Sequence, residues 1–196
     1  MKIYYEEDRF VNEVLKDKEY GFLFKYPTVI DLGCNIGTFS LFIYDYAERI
    51  FAVDLAQENI ENLKATILAN KLTKIKPFCL AITGNNIPRG IVKSGNASGG
   101  SWYLTNKGED ITPITLCQFM DQEKIEFADL VKIDIEGMEL EVFQASDFPK
   151  DRIGTIIGKN HSRGNPLAVI NILEKLGFKY KSFPNYHFIA KKLCKK

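Results

Sequence analysis

Short apolar runs alternate with longer amphipathic stretches along most of the chain. Apolar runs of about four to eight residues bounded by glycine or polar residues predict buried strands, whereas apolar residues three and four positions apart predict helices. The predicted strands cover residues 28–32, 50–53, 75–82, 130–135 and 153–157, and the predicted helices cover 38–46, 57–70, 140–145 and 166–176. This alternation indicates an open, mostly parallel sheet with helices on both faces.

The two ends of the chain show other patterns. Apolar residues at helical spacing among charges predict an amphipathic helix over residues 6–19, within an N-terminal cover formed by residues 1–26. Near the other end, two strand-like runs flank Pro184-Asn185 and predict an antiparallel hairpin. We therefore predict an α/β fold with a doubly wound, mostly parallel seven-stranded sheet and a C-terminal antiparallel hairpin.

Residues 83–107 interrupt the regular alternation. Their glycines, with asparagine and serine between them, predict a loop or hairpin insertion between elements of one sheet. Trp102 and Tyr103 in this insertion could stack on a ligand, although such aromatic residues more often anchor a loop on the core. Because the chain shows neither a linker nor an internal repeat, residues 1–196 are predicted to form a single domain.

Composition narrows the class of protein. With 45% hydrophobic and 26% charged residues, the chain is typical of ordinary globular proteins and unlike disordered ones. The 26 basic and 25 acidic residues leave a net charge of +1, so the whole-protein field favours neither nucleic acid nor an acidic membrane. The N-terminus turns acidic early, and no apolar stretch reaches the roughly 18 residues of a membrane span. Four scattered cysteines without metal-binding spacing favour a reduced, cytoplasmic protein.

A glycine-containing turn follows the first predicted strand, over the residues Asp31 to Gly37. Doubly wound sheets bind ligands at the carboxyl ends of their strands. Glycine lets the backbone approach a ligand closely, and the N-terminus of the next helix favours an anionic group. We predict that Asp31, Gly33, Asn35 and Gly37 bind a cofactor. The alternative is an ordinary strand-to-helix turn that also uses two glycines.

The next two predicted strands end in residues suited to an adenosine-type ligand. Asp54 can accept hydrogen bonds from two ribose hydroxyls, or instead cap the following helix. Ala81 and Ile82 can form an apolar wall for an adenine ring, or instead simply pack in the core. Asn35 stands where a dinucleotide-binding turn prefers its second glycine, so a nicotinamide cofactor is the less favoured alternative.

Three stretches of the sequence resemble the FkbM family of methyltransferases. They read VIDLGCNIGTFSLFI, VDLAQENIENLKATILANKL and ADLVKIDIEGMELEVF, and the likeness runs from about Val29 to His161. The resemblance implies a class I methyltransferase fold, S-adenosylmethionine as the methyl donor, and usually O-methylation of a hydroxyl on a sugar or small natural product. RNA methylation, or a catalytically altered protein that only binds the cofactor, are the alternatives.

The catalytic candidates are Asp134, Glu136 and His161, which follow the fourth and fifth predicted strands and should converge at one cleft. We predict that Asp134 holds the cofactor's ammonium and that Glu136 orients the acceptor hydroxyl. His161, with an unperturbed pKa of about 6.5, suits a general base, although an exposed loop histidine is the competing interpretation. No metal site is predicted, and assistance by a divalent cation through Asp134 and Glu136 is left open.

One position departs from the family pattern. Family members commonly end the fifth strand with Glu-x-His, whereas the chain reads Lys159-Asn160-His161. The histidine is kept and the carboxylate is replaced by lysine. This replacement is the reason for retaining a catalytically altered protein among the alternatives.

Overall fold

Residues 25–93, 102–161 and 166–193 are described in a computed structural model, and the helix predicted over residues 6–19 lies outside them. The strands are β1 (Tyr26–Leu32), β2 (Ala47–Asp54), β3 (Ile75–Cys79), β4 (Gly90–Lys93), β5 (Trp102–Thr105), β6 (Ala128–Ile133), β7 (Ile153–Lys159), β8 (Phe178–Ser182) and β9 (His187–Lys192). The α-helices are α1 (Thr38–Phe42), α2 (Gln57–Asn70), α3 (Leu116–Gln122), α4 (Glu139–Phe143) and α5 (Pro166–Lys175).

Seven of these strands form one sheet in the order β3-β2-β1-β6-β7-β9-β8. The first five run parallel, and β9 pairs antiparallel with both β7 and β8. The predicted doubly wound sheet with a C-terminal antiparallel hairpin is thereby confirmed. Strand order reverses at β1, which has β2 on one side and β6 on the other, and open α/β sheets bind ligands at such a switch point.

Alternating residues of the strands build a core on each face of the sheet. Ile30 and Leu32 of β1 belong to one buried cluster, which they share with residues of α3, α4 and α5. Val29 belongs to the other cluster, with residues of α1 and α2. Successive side chains of a strand point to opposite faces, so the continuous apolar runs of β1, β2 and β6 fill both layers.

Several predicted elements differ from the observed ones at their ends. The predicted helix over residues 38–46 stops being α-helical after Phe42 and continues as a 3₁₀ turn over Ile43–Tyr46. The third strand ends at Cys79 instead of Ile82, because the chain leaves the sheet and Ile82 forms an isolated parallel bridge with Ile114.

The predicted insertion over residues 83–107 contains an antiparallel pair of strands. β4 and β5 pair with Ile91 opposite Leu104, and they form a small sheet separate from the main one. Over the described ranges, no helix combines the length and apolar character that a membrane crossing requires.

Candidate functional site

A pocket opens at the carboxyl ends of β1, β2 and β6, at the switch point of the sheet. Elements from distant parts of the sequence contribute to its wall. The residues lining it that the sequence pattern had predicted are Gly33, Asn35, Asp54, Ala81, Ile82, Asp134 and Glu136. Cys34, Asn59, Trp102, Leu104, Lys132 and Met138 also line it. The pocket thus joins acidic groups with an apolar wall.

The glycine turn presses directly against β6. Gly33 has φ +72°, and a Cβ added to it would lie 1.9 Å from the carbonyl oxygen of Asp134. The backbone N–H groups of Gly33 and Cys34 both donate to the Val53 carbonyl at 2.9 Å, which holds the turn against β2 as well. Only glycine satisfies both the left-handed conformation and this close approach.

Asp54 links the end of β2 to the two segments beside it. Its carboxylate accepts hydrogen bonds from the Asn35 N–H at 2.9 Å, the Ala56 N–H at 2.9 Å and the Asn59 side-chain amide at 3.0 Å. Two of these bonds hold residues at the start of α2, but Asp54 does not cap that helix, whose N-cap is Ala56 and has no side-chain cap hydrogen bond. The same carboxylate also lines the pocket, where a carboxylate retains further acceptor positions.

The apolar side of the pocket combines two segments. Ala81 and Ile82 are each only 4% exposed and contribute from the chain that follows β3. Trp102 and Leu104 contribute from β5 of the insertion. The insertion therefore forms part of the pocket wall.

Asp31 and Gly37 were predicted to bind the cofactor, but they are not among the described residues that line the pocket. Asp31 is fully buried, and its carboxylate accepts a hydrogen bond from Ser40 Oγ at 2.7 Å and lies 3.2 Å from Lys132 Nζ. Gly37 is packed so closely that an added Cβ would lie 2.4 Å from Leu63 Cδ1. A direct contact of either residue with a cofactor stays a prediction.

His161 lies among three carboxylates. Its Nδ1 donates to Glu139 Oε1 at 2.8 Å, and its Nε2 lies 3.5 Å from Asp134 Oδ1 and 3.9 Å from Glu136 Oε2. Glu139 is 1% exposed and also accepts from the N–H groups of Ile135 and Gly137. The fold therefore brings together Asp134, Glu136 and His161, as predicted. Nε2 lies beside the two carboxylates that line the pocket, whereas His161 itself is not among the described lining residues.

The carboxylates alter the protonation of this cluster. Burial by itself lowers the pKa of His161, but the hydrogen bond to Glu139 and the nearby charges of Asp134 and Glu136 outweigh it and raise that pKa above 6.5. Burial raises the pKa of Asp134, opposed by the positive charges of Lys132, His161 and Lys159. An imidazole that gains affinity for a proton beside an open pocket is suited to acid–base chemistry.

The same cluster has the composition of a cation site. The ligand atoms of Asp134, Glu136 and His161 lie within 4.8 Å of one another, a spacing that a divalent ion could bridge. Oxygen and imidazole ligands suit several divalent metals. These three residues are therefore the ones that would hold a metal if one assists.

Two charged residues of the site were not identified from the sequence. Glu139 follows Glu136 by three positions in the EGMELE stretch, and the structure shows it buried against His161. Lys132 is a charged residue between the apolar residues Val131 and Ile133 of β6, which is the signal that could have identified it. Burial lowers the pKa of Lys132, but Asp31 and Asp134 raise it by more, so its ammonium form is favoured.

The strand order, the glycine turn and the acidic residue after β2 define a Rossmann-like fold of the methyltransferase class. A family model described as the methyltransferase FkbM domain matches residues 31–180. The chain therefore belongs to the FkbM methyltransferase family, which confirms the resemblance noted in the sequence.

A curated relative shares part of the chain. An uncharacterized RNA methyltransferase of Bacillus cereus is 36% identical over 72 residues, which are 36% of this chain and 16% of the relative. The aligned stretch thus spans only a small part of that relative's length.

Two solved structures have a similar fold. The methyltransferase FkbM of Methylobacillus flagellatus KT has a TM-score of 0.59 and 15% identity, over 84% of this chain and 43% of that one. A protein of Streptococcus mutans assigned as a methyltransferase, solved in complex with SAH, has a TM-score of 0.59 and 12% identity, over 91% of this chain and 97% of that one. At these identities the likeness concerns the fold alone.

Proposed function

We propose that the protein transfers a methyl group from S-adenosylmethionine to a hydroxyl of a sugar or small natural product. The observation that carries this proposal is a pocket lined by a carboxylate at each of two strand ends, Asp54 and Asp134, with the imidazole of His161 3.5 Å from the Asp134 carboxylate. The family membership and the SAH complex of the Streptococcus mutans protein support the choice of cofactor.

The residues of the pocket fit the parts of this cofactor. Asp54 would accept from the ribose hydroxyls, while Ala81 and Ile82 would provide the apolar wall for adenine. The turn of Gly33 and Asn35 brings backbone close to the pocket, which suits the amino-acid end. A Cβ at Gly33 would fill the space between this turn and β6.

The carboxylate of Asp134 would bind the cofactor's ammonium. It lines the pocket next to the glycine turn and carries a charge opposite to that group. Asp31 and Gly37 would support the same turn without lining the pocket. When bound, S-adenosylmethionine supplies an electrophilic methyl group on a sulfonium centre.

The protein's own residues would prepare the acceptor. His161 Nε2 would take the proton of the acceptor hydroxyl, since Nδ1 is already committed as a donor to Glu139. Glu136, whose side chain is 41% exposed, can reach the same hydroxyl and orient it. Holding donor and acceptor in line lowers the barrier to the displacement.

The cofactor is tested first by thermal unfolding with S-adenosylmethionine, SAH or NAD. A ligand that binds only the folded state raises the unfolding temperature, so the two adenosyl ligands should raise it and NAD should not. Mass spectrometry of the purified protein for bound SAH is the complementary measurement. Stabilisation by NAD alone would contradict the proposal.

The acceptor is tested by measuring SAH release across classes of hydroxylated compounds, with an RNA sample alongside them. RNA stays the second candidate because of the sequence shared with the Bacillus cereus relative. Tight SAH binding without turnover on any class would favour a catalytically altered protein, consistent with Lys159 in place of a carboxylate.

A further inference from the structure

Lys132 is a buried cation in the centre of the sheet. It lies in β6, is 4% exposed, and pairs in register with Asp31 of β1, which is fully buried. Lysine is rarely found at such a depth unless its charge is compensated. The general-base chemistry proposed for His161 gives this residue no task.

The Lys132 ammonium contacts β1 and the turn that follows it. Nζ donates to the Gly33 carbonyl at 2.6 Å and to the Leu32 carbonyl at 3.4 Å, and it lies 3.2 Å from Asp31 Oδ1. Two backbone carbonyls thus accept from the ammonium, and the Asp31 carboxylate compensates its charge. These contacts join the ammonium to the glycine turn, at a residue that also lines the pocket.

The bond to Gly33 fixes one peptide plane from both sides. The carbonyl of Gly33 accepts from Lys132, while the N–H of Cys34 in the same peptide donates to the Val53 carbonyl at 2.9 Å. In a trans peptide these two groups point in opposite directions, so the plane is held between β6 and β2. Without Lys132, one side is released at a glycine, which has the widest choice of backbone conformations.

A third element is tied to the same pair. Asp31 accepts from Ser40 Oγ at 2.7 Å, which joins the ion pair to α1, the helix that starts after the turn. The Asp31–Lys132 pair thus connects β1, β6 and α1, and its lysine lines the pocket.

We propose that Lys132 is a positioning residue for cofactor binding, which holds the Gly33–Cys34 peptide in the orientation that lines the pocket. This inference rests on the proposed function, because it assumes that S-adenosylmethionine or SAH occupies that pocket. Asp31 contributes to the same role, as the ion-pair partner that keeps the ammonium in place.

The experiment compares SAH affinity, by calorimetry, in four proteins. Lys132→Met leaves Asp31 unpaired and buried, so it should lower both the unfolding temperature and the affinity. Asp31→Asn/Lys132→Met removes both charges and should recover most of the stability, because an uncompensated buried charge is no longer present. Its affinity should still be about tenfold or more below wild type, since the Gly33 carbonyl lacks its charged donor. Lys76→Met, at a lysine whose side chain is 61% exposed on β3, is the control and should bind as wild type does.

Hydrogen–deuterium exchange of the ligand-free proteins separates the two proposals. The amides of residues 33–37 should exchange faster in Asp31→Asn/Lys132→Met than in wild type, with little change in β3. Wild-type affinity or unchanged exchange of this turn in the double variant would overturn the role of Lys132. If wild type itself fails to bind SAH, the proposed function is wrong, and the exchange result alone decides whether Lys132 holds the turn.

Discussion

At the scale of single residues, Gly33 has the least freedom to change. Its φ of +72° disfavours any residue with a side chain, and an added Cβ would lie only 1.9 Å from the Asp134 carbonyl oxygen. We predict that Gly33→Ala abolishes measurable SAH binding and lowers the unfolding temperature by several degrees, because the turn must move away from β6. Calorimetry and thermal unfolding measure the two effects.

A matched variant at Gly177 separates the effect of backbone strain from the effect of a location beside the pocket. Gly177 also has a positive φ, +86°, but an added Cβ would meet only Lys192 Nζ, at 3.6 Å. Gly177→Ala should therefore lose stability and keep its SAH affinity. Wild-type affinity in Gly33→Ala would show that this turn does not contact the cofactor.

Asp54 is expected to affect binding more than folding. Asp54→Asn keeps the volume but replaces a charged acceptor, and hydrogen bonds to charged groups contribute about 1.5–3 kcal/mol. SAH affinity should fall about tenfold or more. Asp121→Asn, an acidic residue whose side chain is 62% exposed and pairs with Arg152, is the control. A loss of stability without a loss of affinity would favour the helix-start role.

The pKa of His161 predicts a pH dependence with a definite sign. A general base acts when deprotonated, and the carboxylates raise this pKa above 6.5. The rate of methyl transfer, as kcat/KM for the acceptor, should therefore rise as pH increases through a value above 6.5 and then level off. SAH release measured across pH tests this, and a flat profile in the wild type would exclude His161 as the base.

The variant Glu139→Gln tests why the pKa of His161 is raised. Replacing the charged partner of Nδ1 should lower the pKa of His161 and move the pH profile toward lower pH. Nitrogen NMR of the imidazoles can follow this directly, because the chain has only two histidines. An unchanged titration of His161 would contradict the assigned contact.

At the scale of elements, the β4–β5 hairpin contributes to the pocket instead of remaining apart from it. Arg89 pairs with Glu141 of α4 at 2.8 Å, and Lys93 pairs with Glu58 of α2 at 2.8 Å. These contacts place the hairpin across helices from both faces of the sheet. The glycine content of residues 83–107 predicted a loop or hairpin, but not where it would lie.

Alternation along β5 provides a test of the hairpin's role. Trp102 lines the pocket, whereas Tyr103 is 39% exposed on the other side of the strand. Trp102→Ala should weaken SAH binding severalfold, because it removes a large apolar wall. Tyr103→Ala should leave affinity unchanged. Equal effects of the two variants in calorimetry would contradict this placement of the hairpin.

The ends of the helices and strands show where the local pattern of apolar residues is sufficient to predict an element. The spacing of apolar residues predicted α2 over residues 57–70, and the helix has those bounds, although only Asn59, Ile60 and Leu63 of it are buried. The third strand was predicted too long because Ala81 and Ile82 are apolar. They are buried against the pocket and Ile114 instead of within the sheet, and local hydrophobicity does not distinguish these fates.

At the scale of the whole molecule, the near-neutral charge bears on the choice of acceptor. A net charge of +1 provides little long-range attraction for a polyanion. We predict that small hydroxylated compounds stimulate SAH release and that bulk tRNA or rRNA does not. Transfer of a labelled methyl group into RNA, with binding that weakens steeply as salt increases, would instead establish the RNA alternative.

The sequence by itself determined the fold class and the parts of the site that lie within one local segment. Periodicity of apolar residues identified the strands, and glycine and aspartate after β1 and β2 identified the pocket edge, because the carboxyl ends of parallel strands share one side of a sheet. Only the tertiary structure decided which side chains meet across that edge. Lys132 contacts Gly33 across 99 positions and His161 contacts Glu139 across 22. Such contacts depend on strand order and register, which are set by packing of the whole sheet and leave no periodic pattern in the chain.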